Sequence, residues 1–417
     1  MSPFLPETWP FPAALLPEDA HLVGGSVRDH LLQRRSTYLD LDFVLSDSAV
    51  EVASDIATAC NAGFVVLDEA RRIARVVFDE VTVDFAQQQG DSLEADLRRR
   101  DFTVNAIAYH PHSQTLVDPL QGKADLAAKT LRMVSAQNLA DDPLRLMRAY
   151  RQAAQLGFEL HPQPQQAIKQ LAPQLQRISV ERIRSELDAL LSIPAGTAQL
   201  PSVLAHQLLH FWLPHFDAHS IAQIAQIDAA VKQIAQKMPE YAKQLHQWQK
   251  PVPAGNHRSW IKATKLSRLL AAEASTAQAE LTALSYSRAE THAVVTILKA
   301  QPTIDLMKTQ ALIRSQKFFL FKQSGQQFLA VSLLALAQGV EFAVVEPMIA
   351  KFLDPKDAIA HARPLLSGNE IMQQLDIKPG KQLGQIIKAV EQAQAEGVIE
   401  DKQGAIAWLK ANPSLCS

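Results

Sequence analysis

The character of the chain changes near Asp141, and any fold must accommodate that change. Before it stand short β-branched runs, "GFVVLD" (63–68), "RIARVVF" (72–78) and "VTVDFA" (81–86). "NAIAYH" and "QTLVDP" add further strand-like pieces. Such runs read as strands, and Asp79-Glu80 between the second and third marks a hairpin turn. "SDSAVEVASDIATACNA" (46–62) interposes a helical period, with Ser46 or Asp47 as its N-cap. Beyond Asp141 the chain is Ala-, Leu- and Gln-rich at helical spacing, with almost no strand signal. Pro162 and Pro164, "QKPVPAGNHRS" and "FLDPKD" punctuate this part. The expectation is an α/β head followed by an all-helical remainder. At 417 residues the chain exceeds one ordinary core.

Charge and cysteine content narrow the function classes. A formal charge of −2 exerts no global pull on nucleic acid or an anionic membrane, so any such attraction must be local. Cys60 and Cys416 make no disulfide framework and are too few for a cysteine zinc site. The first twenty residues lack a basic n-region and are broken by prolines, which argues against a secretory signal. The apolar run Phe328–Ala337 is too short to span a bilayer. A reduced, cytoplasmic setting without membrane or disulfide partner is expected.

The chemistry concentrates in "LVGGSVRDHLLQRRSTYLDLDFVL" (22–45). Asp40 and Asp42 lie two apart on an expected strand, so both project from one face. Two carboxylates there repel unless a cation neutralises them, and hard oxygen donors suit magnesium. Upstream, two glycines end a strand and open a helix whose free N–H groups suit an anion, with Arg28 one turn in. A phosphate site beside a metal site is the pairing that phosphoryl or nucleotidyl transfer needs. Further on, "LRRRDFTVNAIAYH" sets three arginines before Asp101. "DDPLRLMRAYRQAAQLGF" spaces Asp142, Arg145, Arg148 and Arg151 three apart, a slanting stripe on a helix. Asp142 as N-cap with Pro143 at the first position explains those two residues but not the arginines.

Taken in order, "LVGGSVRD…DLD", "DLRRRDFTVNAIA", "LVDPLQGKADLAAKTLRMV", "DDPLRLMRAYRQAAQLGF" and "ERIRSELDALL" resemble the successive motifs of the bacterial-type tRNA nucleotidyltransferase and poly(A) polymerase family. They cover Leu22 to about Leu191. The resemblance implies a DNA-polymerase-β-like head (1–140), a helical neck (141–200), a helical RNA-binding body (201–355) and a helical tail (356–417) that meets the tRNA elbow. It implies that Asp40 and Asp42 hold two Mg2+ ions, with Asp84 as candidate third carboxylate. Gly25 and Arg28 would contact the nucleotide triphosphate, and Arg100 would line the same pocket. Asp142 and Arg145 would face the base, with Arg148 and Arg151 nearby. Glu181 and Arg182 would brace the neck. The implied substrates are tRNA, CTP and ATP.

Bottom-up chemistry agrees. Cytosine presents an N4 donor beside N3 and O2 acceptors, which an ionised Asp142 and the Arg145 guanidinium complement. Adenine fits with a small adjustment, whereas uracil sets O4 against the carboxylate at a cost of roughly 1–3 kcal/mol. Two features depart from or extend the family pattern. Only "QQQGDS" separates "VTVDFA" from "LEADLRRRDF", so the mobile charged segment used by CCA-completing members is missing. That shortness predicts addition of the two cytidines, with a separate A-adding enzyme acting in sequence. Between residues 232 and 268, Lys or Arg stand at 232, 237, 243, 250, 258, 262, 265 and 268 against Glu240 alone, with Tyr241, Trp248 and Trp260 interleaved. This reads as an RNA-contacting patch centred on Lys262, Lys265 and Arg268. "KPGKQLG" in the tail opens a helix suited to a tRNA phosphate or to plain packing. The histidines of "HQLLHFWLPHFDAHS" are interrupted by Pro214 and read as a buried helix end rather than a metal site. The rival readings are a poly(A) polymerase and a catalytically inactive RNA-binding protein.

Overall fold

The computed structural model describes residues 3–34, 39–79, 81–248 and 258–412. Glu80 of the expected turn, Lys250, most of "QKPVPAGNHRS" and Cys416 lie outside the described residues. The chain forms two compact units, Met1–Leu208 and Leu209–Ser417.

Seven strands build the sheet of the first unit: β1 (His21–Val23), β2 (Asp40–Leu45), β3 (Gly63–Asp68), β4 (Ile73–Val77), β5 (Thr82–Gln87), β6 (Ala108–His110) and β7 (Thr115–Val117). Their order is β3-β4-β5-β2-β1-β6-β7. The expected β4–β5 hairpin is antiparallel, while β2 and β5 run parallel with Asp42 opposite Asp84. Strand alternation then sorts the side chains. Leu41, Phe43, Val83 and Phe85 are buried on one face, with Phe43 and Phe85 stacked 5.5 Å apart, centroid to centroid. Asp40, Asp42 and Asp84 alternate onto the other face. Trp9 and Phe11 pack beside Phe43, and burying these large rings anchors the sheet.

Eight helices position the site: α1 (Gly25–Leu31), α2 (Ala49–Ala59), α3 (Leu93–Leu97), α4 (Gly122–Ala127), α5 (Ala136–Asp141), α6 (Leu144–Leu156), α7 (Pro162–Leu171) and α8 (Val180–Ser192). α2 is the helix expected after residue 46, but neither Ser46 nor Asp47 caps it. Ser48 holds that position at φ 56°, because Ser46 is bound to Asp19 and the Asp47 carboxylate accepts the Ser48 N–H at 2.8 Å. α6 begins one residue later than expected, with Pro143 as its cap residue, and Asp142 only reaches the Leu144 N–H at 3.4 Å. It buries Leu146, Met147, Ala149, Tyr150 and Ala153, packs against α8 and stops at Gly157, whose φ of +70° suits glycine. One small strand pair departs from the all-helical expectation: Thr130–Leu131 runs parallel to Glu159–Leu160.

Among the described residues of the second unit, all regular secondary structure is helical. The apolar run expected to be too short for a membrane is its central helix, Phe328–Ala337, with every side chain buried. Among the described residues no helix is long and apolar enough to cross a membrane. The tail helices Gly368–Leu375, Lys381–Glu396 and Lys402–Ala411 enclose their own core around Ile371, Ile386, Val390 and Leu409.

The basic patch proposed for RNA does not stand where the sequence placed it. Lys262 and Lys265 are each 1% exposed, and their ammonium groups are paired with Glu290 at 2.8 Å and Asp228 at 2.7 Å. Arg268 is half-buried, and burial pushes its guanidinium down to about 10. Tyr241 and Trp260 belong to the core as well, the first donating or accepting at Ser332 across 2.7 Å. The sequence window showed one acid, but Asp228 and Glu290 come from neighbouring helices, which no local charge count includes. Burial alone would raise the Glu290 pKa, yet Lys262, Ser287 and Arg258 hold it at about 2. Lys262→Met should therefore lower unfolding free energy by about 3 kcal/mol, because it leaves the buried Glu290 carboxylate with only Arg258 and Ser287 as partners. Adding Glu290→Leu should recover much of that loss. Denaturant titration of both variants checks the pair, and equal stability of the single variant and wild type would exclude it.

Candidate active site

Gly24 begins the site. It ends β1 and precedes α1 at φ +79°, a region that L side chains rarely adopt. A Cβ there would also sit 3.3 Å from Asp42 Oδ2 and 3.5 Å from Arg100 Nη1. The glycine turn, the aspartate strand and the arginine after α3 therefore meet at one point. Below them α1 carries Arg28, whose Nη1 donates to Asn105 Oδ1 at 2.7 Å and whose Nε and Nη2 donate to Asp29 at 2.9 and 3.0 Å. A cleft of about 400 Å³ opens over this point. Gly25, Arg28, Asp40, Asp42, Arg100, Arg148 and Arg151 all line it. Seven of the expected residues are brought together.

The electrostatics of the cleft ask for a cation. Burial, followed by the charges of Asp40 and Asp84, pushes the Asp42 carboxyl up to about 7. Burial and Asp84 raise the Asp40 carboxyl as well. Asp84 shares the face but has a different fate, because Arg75 on β4 binds both its oxygens at 2.6 and 2.8 Å. Among the described residues, that leaves Asp40 and Asp42 as the carboxylates of this face with no ion pair. Their oxygens are hard donors on one strand face, and they fit a divalent cation such as Mg2+.

The neck arginines find acids that the sequence stripe did not contain. Arg148 pairs with Asp101 at 2.9 Å, and Arg151 with Glu186 of α8 at 2.5 Å. Asp101 is buried, which alone would raise its pKa. Arg148, Asn105 and the Phe102 N–H lower it instead. Asp142 holds Arg182 of α8 at 3.0 Å, a neck brace of the kind expected for Arg182. Arg145 donates to the Arg99 and Asn138 carbonyls, both at 2.9 Å. Asp142 and Arg145 line a second compartment of about 310 Å³, and Arg100 lines both spaces. Sequence reasoning gave no role to Asp96, Asp101 or Asn105. The signal for Asp101 was its place directly after three arginines, whereas a partner for Asn105 was invisible without the fold.

Comparison with known proteins decides the family. The description "Poly A polymerase head domain" matches residues 20–132, and "tRNA nucleotidyltransferase domain 2" matches 258–409. A CC-adding tRNA nucleotidyltransferase of Synechocystis is 42% identical, covering 96% of this chain and 95% of its own. An A-adding tRNA nucleotidyltransferase of Deinococcus radiodurans is 33% identical, covering 96% of each. The chain belongs to the bacterial class II tRNA nucleotidyltransferase family. Among solved structures, the Bacillus stearothermophilus CCA-adding enzyme in complex with CTP superposes with a TM-score of 0.71 at 25% identity. That match covers 95% of this chain and 93% of that one. An α/β nucleotidyltransferase head followed by helices is thus the fold of this family member.

The raised Asp42 pKa has a definite sign. Its protonated form favours the fold, so that contribution is present at low pH and is lost as pH rises through about 7. A divalent cation on the ionised pair offsets the loss. Mg2+ should therefore raise Tm more at pH 8 than at pH 6. Asp42→Asn should raise Tm at pH 8 in chelator and remove most of the Mg2+ response. A Mg2+ response that is the same at both pH values would exclude the linkage.

Proposed function

We infer that this nucleotidyltransferase transfers CMP from CTP to the 3′ end of tRNA without a nucleic-acid template. It builds the two cytidines and leaves the terminal adenosine to a separate A-adding enzyme. The observation that carries the reading is the meeting of Asp40 and Asp42 with the Gly24 turn, Arg28 and Arg100 around one cleft. Likeness to the CC-adding Synechocystis protein along nearly its whole length supports the same reading.

In this reading Asp40 and Asp42 would hold two Mg2+ ions, which would supply activation of the 3′-hydroxyl and charge neutralisation at the phosphates. Arg28 and Arg100, with the N–H groups at Gly25, bind and orient the triphosphate for in-line attack at the α-phosphate. Arg148 and Arg151 add positive charge at the rim while tied to Asp101 and Glu186. Preorganised donors of this kind stabilise charge that develops on the leaving pyrophosphate. Asp84 supports the site indirectly, holding Arg75 beside the carboxylate pair.

Asp142 and Arg145 select the base. The Asp142–Arg182 pair is substantially exposed, so releasing one carboxylate oxygen to a base amino group costs little. The Arg145 guanidinium is already oriented by two carbonyls and keeps further N–H donors for N3 and O2.

The cytidine-only reading comes from the segment between β5 and α3. β5 runs through Gln87 and Ser92 caps α3, so only Gln88–Asp91 remain between them. Extended residues advance about 3.3–3.6 Å each. Such a segment has too few residues to swing as a lever on Asp142 and Arg145.

Product length on a tRNA lacking CCA, with CTP and ATP both present, tests the proposal. Products should stop at CC, and adding an A-adding enzyme should complete them. Rapid accumulation of CCA ends by the protein alone would exclude the cytidine-only reading, and long adenosine tracts would favour a poly(A) polymerase. Asp40→Ala and Asp42→Ala should each abolish incorporation while tRNA binding persists. Asp142→Ala should admit UTP and GTP more readily than it lowers total turnover.

A further inference from the structure

Arg100 stands where the two compartments meet, and one buried carboxylate holds it there. Asp96 is 8% exposed, and its Oδ2 accepts Arg100 Nη2 at 3.2 Å. The other oxygen, Oδ1, accepts the Gln89 N–H at 3.0 Å. A single side chain therefore ties the arginine beside Asp42 to the segment linking β5 and α3. That segment has further fastenings. Gln88 donates its N–H to the Leu45 carbonyl at 2.7 Å, and the Ser92 hydroxyl oxygen accepts the Ala95 N–H at 3.2 Å. Gly90 turns at φ +98°, close enough to α3 that a Cβ would lie 3.0 Å from the Ala95 Cβ.

Gln87 and Gln89 line the compartment that holds Asp142 and Arg145. Two polar atoms around it lack any hydrogen-bond partner among the described residues: Gln87 Oε1 and Arg100 Nε, both buried. Buried groups of this kind are normally satisfied, so the wall around Gln87 and Arg100 carries an unanswered acceptor and an unanswered donor just behind its surface.

We propose that Asp96 is a positioning residue that sets nucleotide preference. It presents Arg100 to the triphosphate and holds Gln87–Asp91 as a fixed wall of the base compartment. The proposal rests on the reading that this site transfers CMP from CTP. A fixed wall gives the compartment one size, which suits the smaller pyrimidine and penalises a purine. Asparagine at position 96 would keep one acceptor oxygen and turn an amide N–H against a guanidinium or a backbone N–H.

The test is steady-state kinetics with CTP on a tRNA lacking CCA and with ATP on a tRNA ending in CC. In Asp96→Asn the KM for CTP should rise about tenfold, the worth of one charge-assisted hydrogen bond, with kcat within about threefold of wild type. The ATP-to-CTP ratio of kcat/KM should rise by about fivefold, because the wall is freed. Asp96→Glu, which keeps the charge, should restore part of both, and it carries the test if the asparagine variant does not fold. Hydrogen exchange in the wild-type protein should show a slow Gln89 amide without nucleotide. A folded Asp96→Asn with wild-type KM and ratio, or a fast Gln89 amide, would overturn the proposal. Absence of CMP transfer by the wild-type protein would overturn the functional reading together with it.

Discussion

The site depends on the parallel pairing of β2 with β5. In that register Asp42 faces Asp84, and strand alternation sends Asp40 to the same side. Three carboxylates on one sheet face are unfavourable, and the fold answers the repulsion unevenly. Arg75 neutralises Asp84 with two short hydrogen bonds, while Asp40 and Asp42 receive no ion pair among the described residues. The unneutralised pair is consequently the place where burial and mutual repulsion raise a carboxyl to about 7. Carboxylates left in this way attract a positive charge, and a divalent cation on hard oxygen donors can supply it.

A second layer of charge keeps the arginines in place. Arg28, Arg100, Arg148 and Arg151 are each held by an acid or amide: Asp29 and Asn105, Asp96, Asp101, and Glu186. Their guanidiniums are thus held in fixed directions around the cleft, and groups ordered in advance pay less to bind a ligand. The same device serves stability alone in the second unit. Lys262 and Lys265 are spaced like groups on a basic face, but Glu290 and Asp228 draw them into the core. Pairs of a cation with a carboxylate thus line a cleft in one unit and sit in the core in the other, and burial separates the two placements.

The head chemistry was readable because it is local. Gly24, Gly25, Arg28, Asp40 and Asp42 fall within a short stretch whose strand and helix periods set their directions, so their convergence followed from spacing. The arginine stripe on α6 was readable too, since helical geometry alone places Arg145, Arg148 and Arg151 on one side. Strand alternation likewise put Asp84 on the aspartate face. Its occupation by Arg75 was hidden, because the β4–β5 register decides which side chains meet.

By itself the sequence determined the α/β head, the helical remainder, the paired aspartates and the brevity of the segment before α3. Those properties depend on composition, period and chain length, which are written in consecutive residues. Tertiary structure alone decided which charges are answered. Asp101 for Arg148, Glu186 for Arg151, Asp96 for Arg100 and Glu290 for Lys262 all depend on chain segments folding back on one another. Coulombic and hydrogen-bond energies depend on distance and burial, and neither quantity exists until the segments have packed.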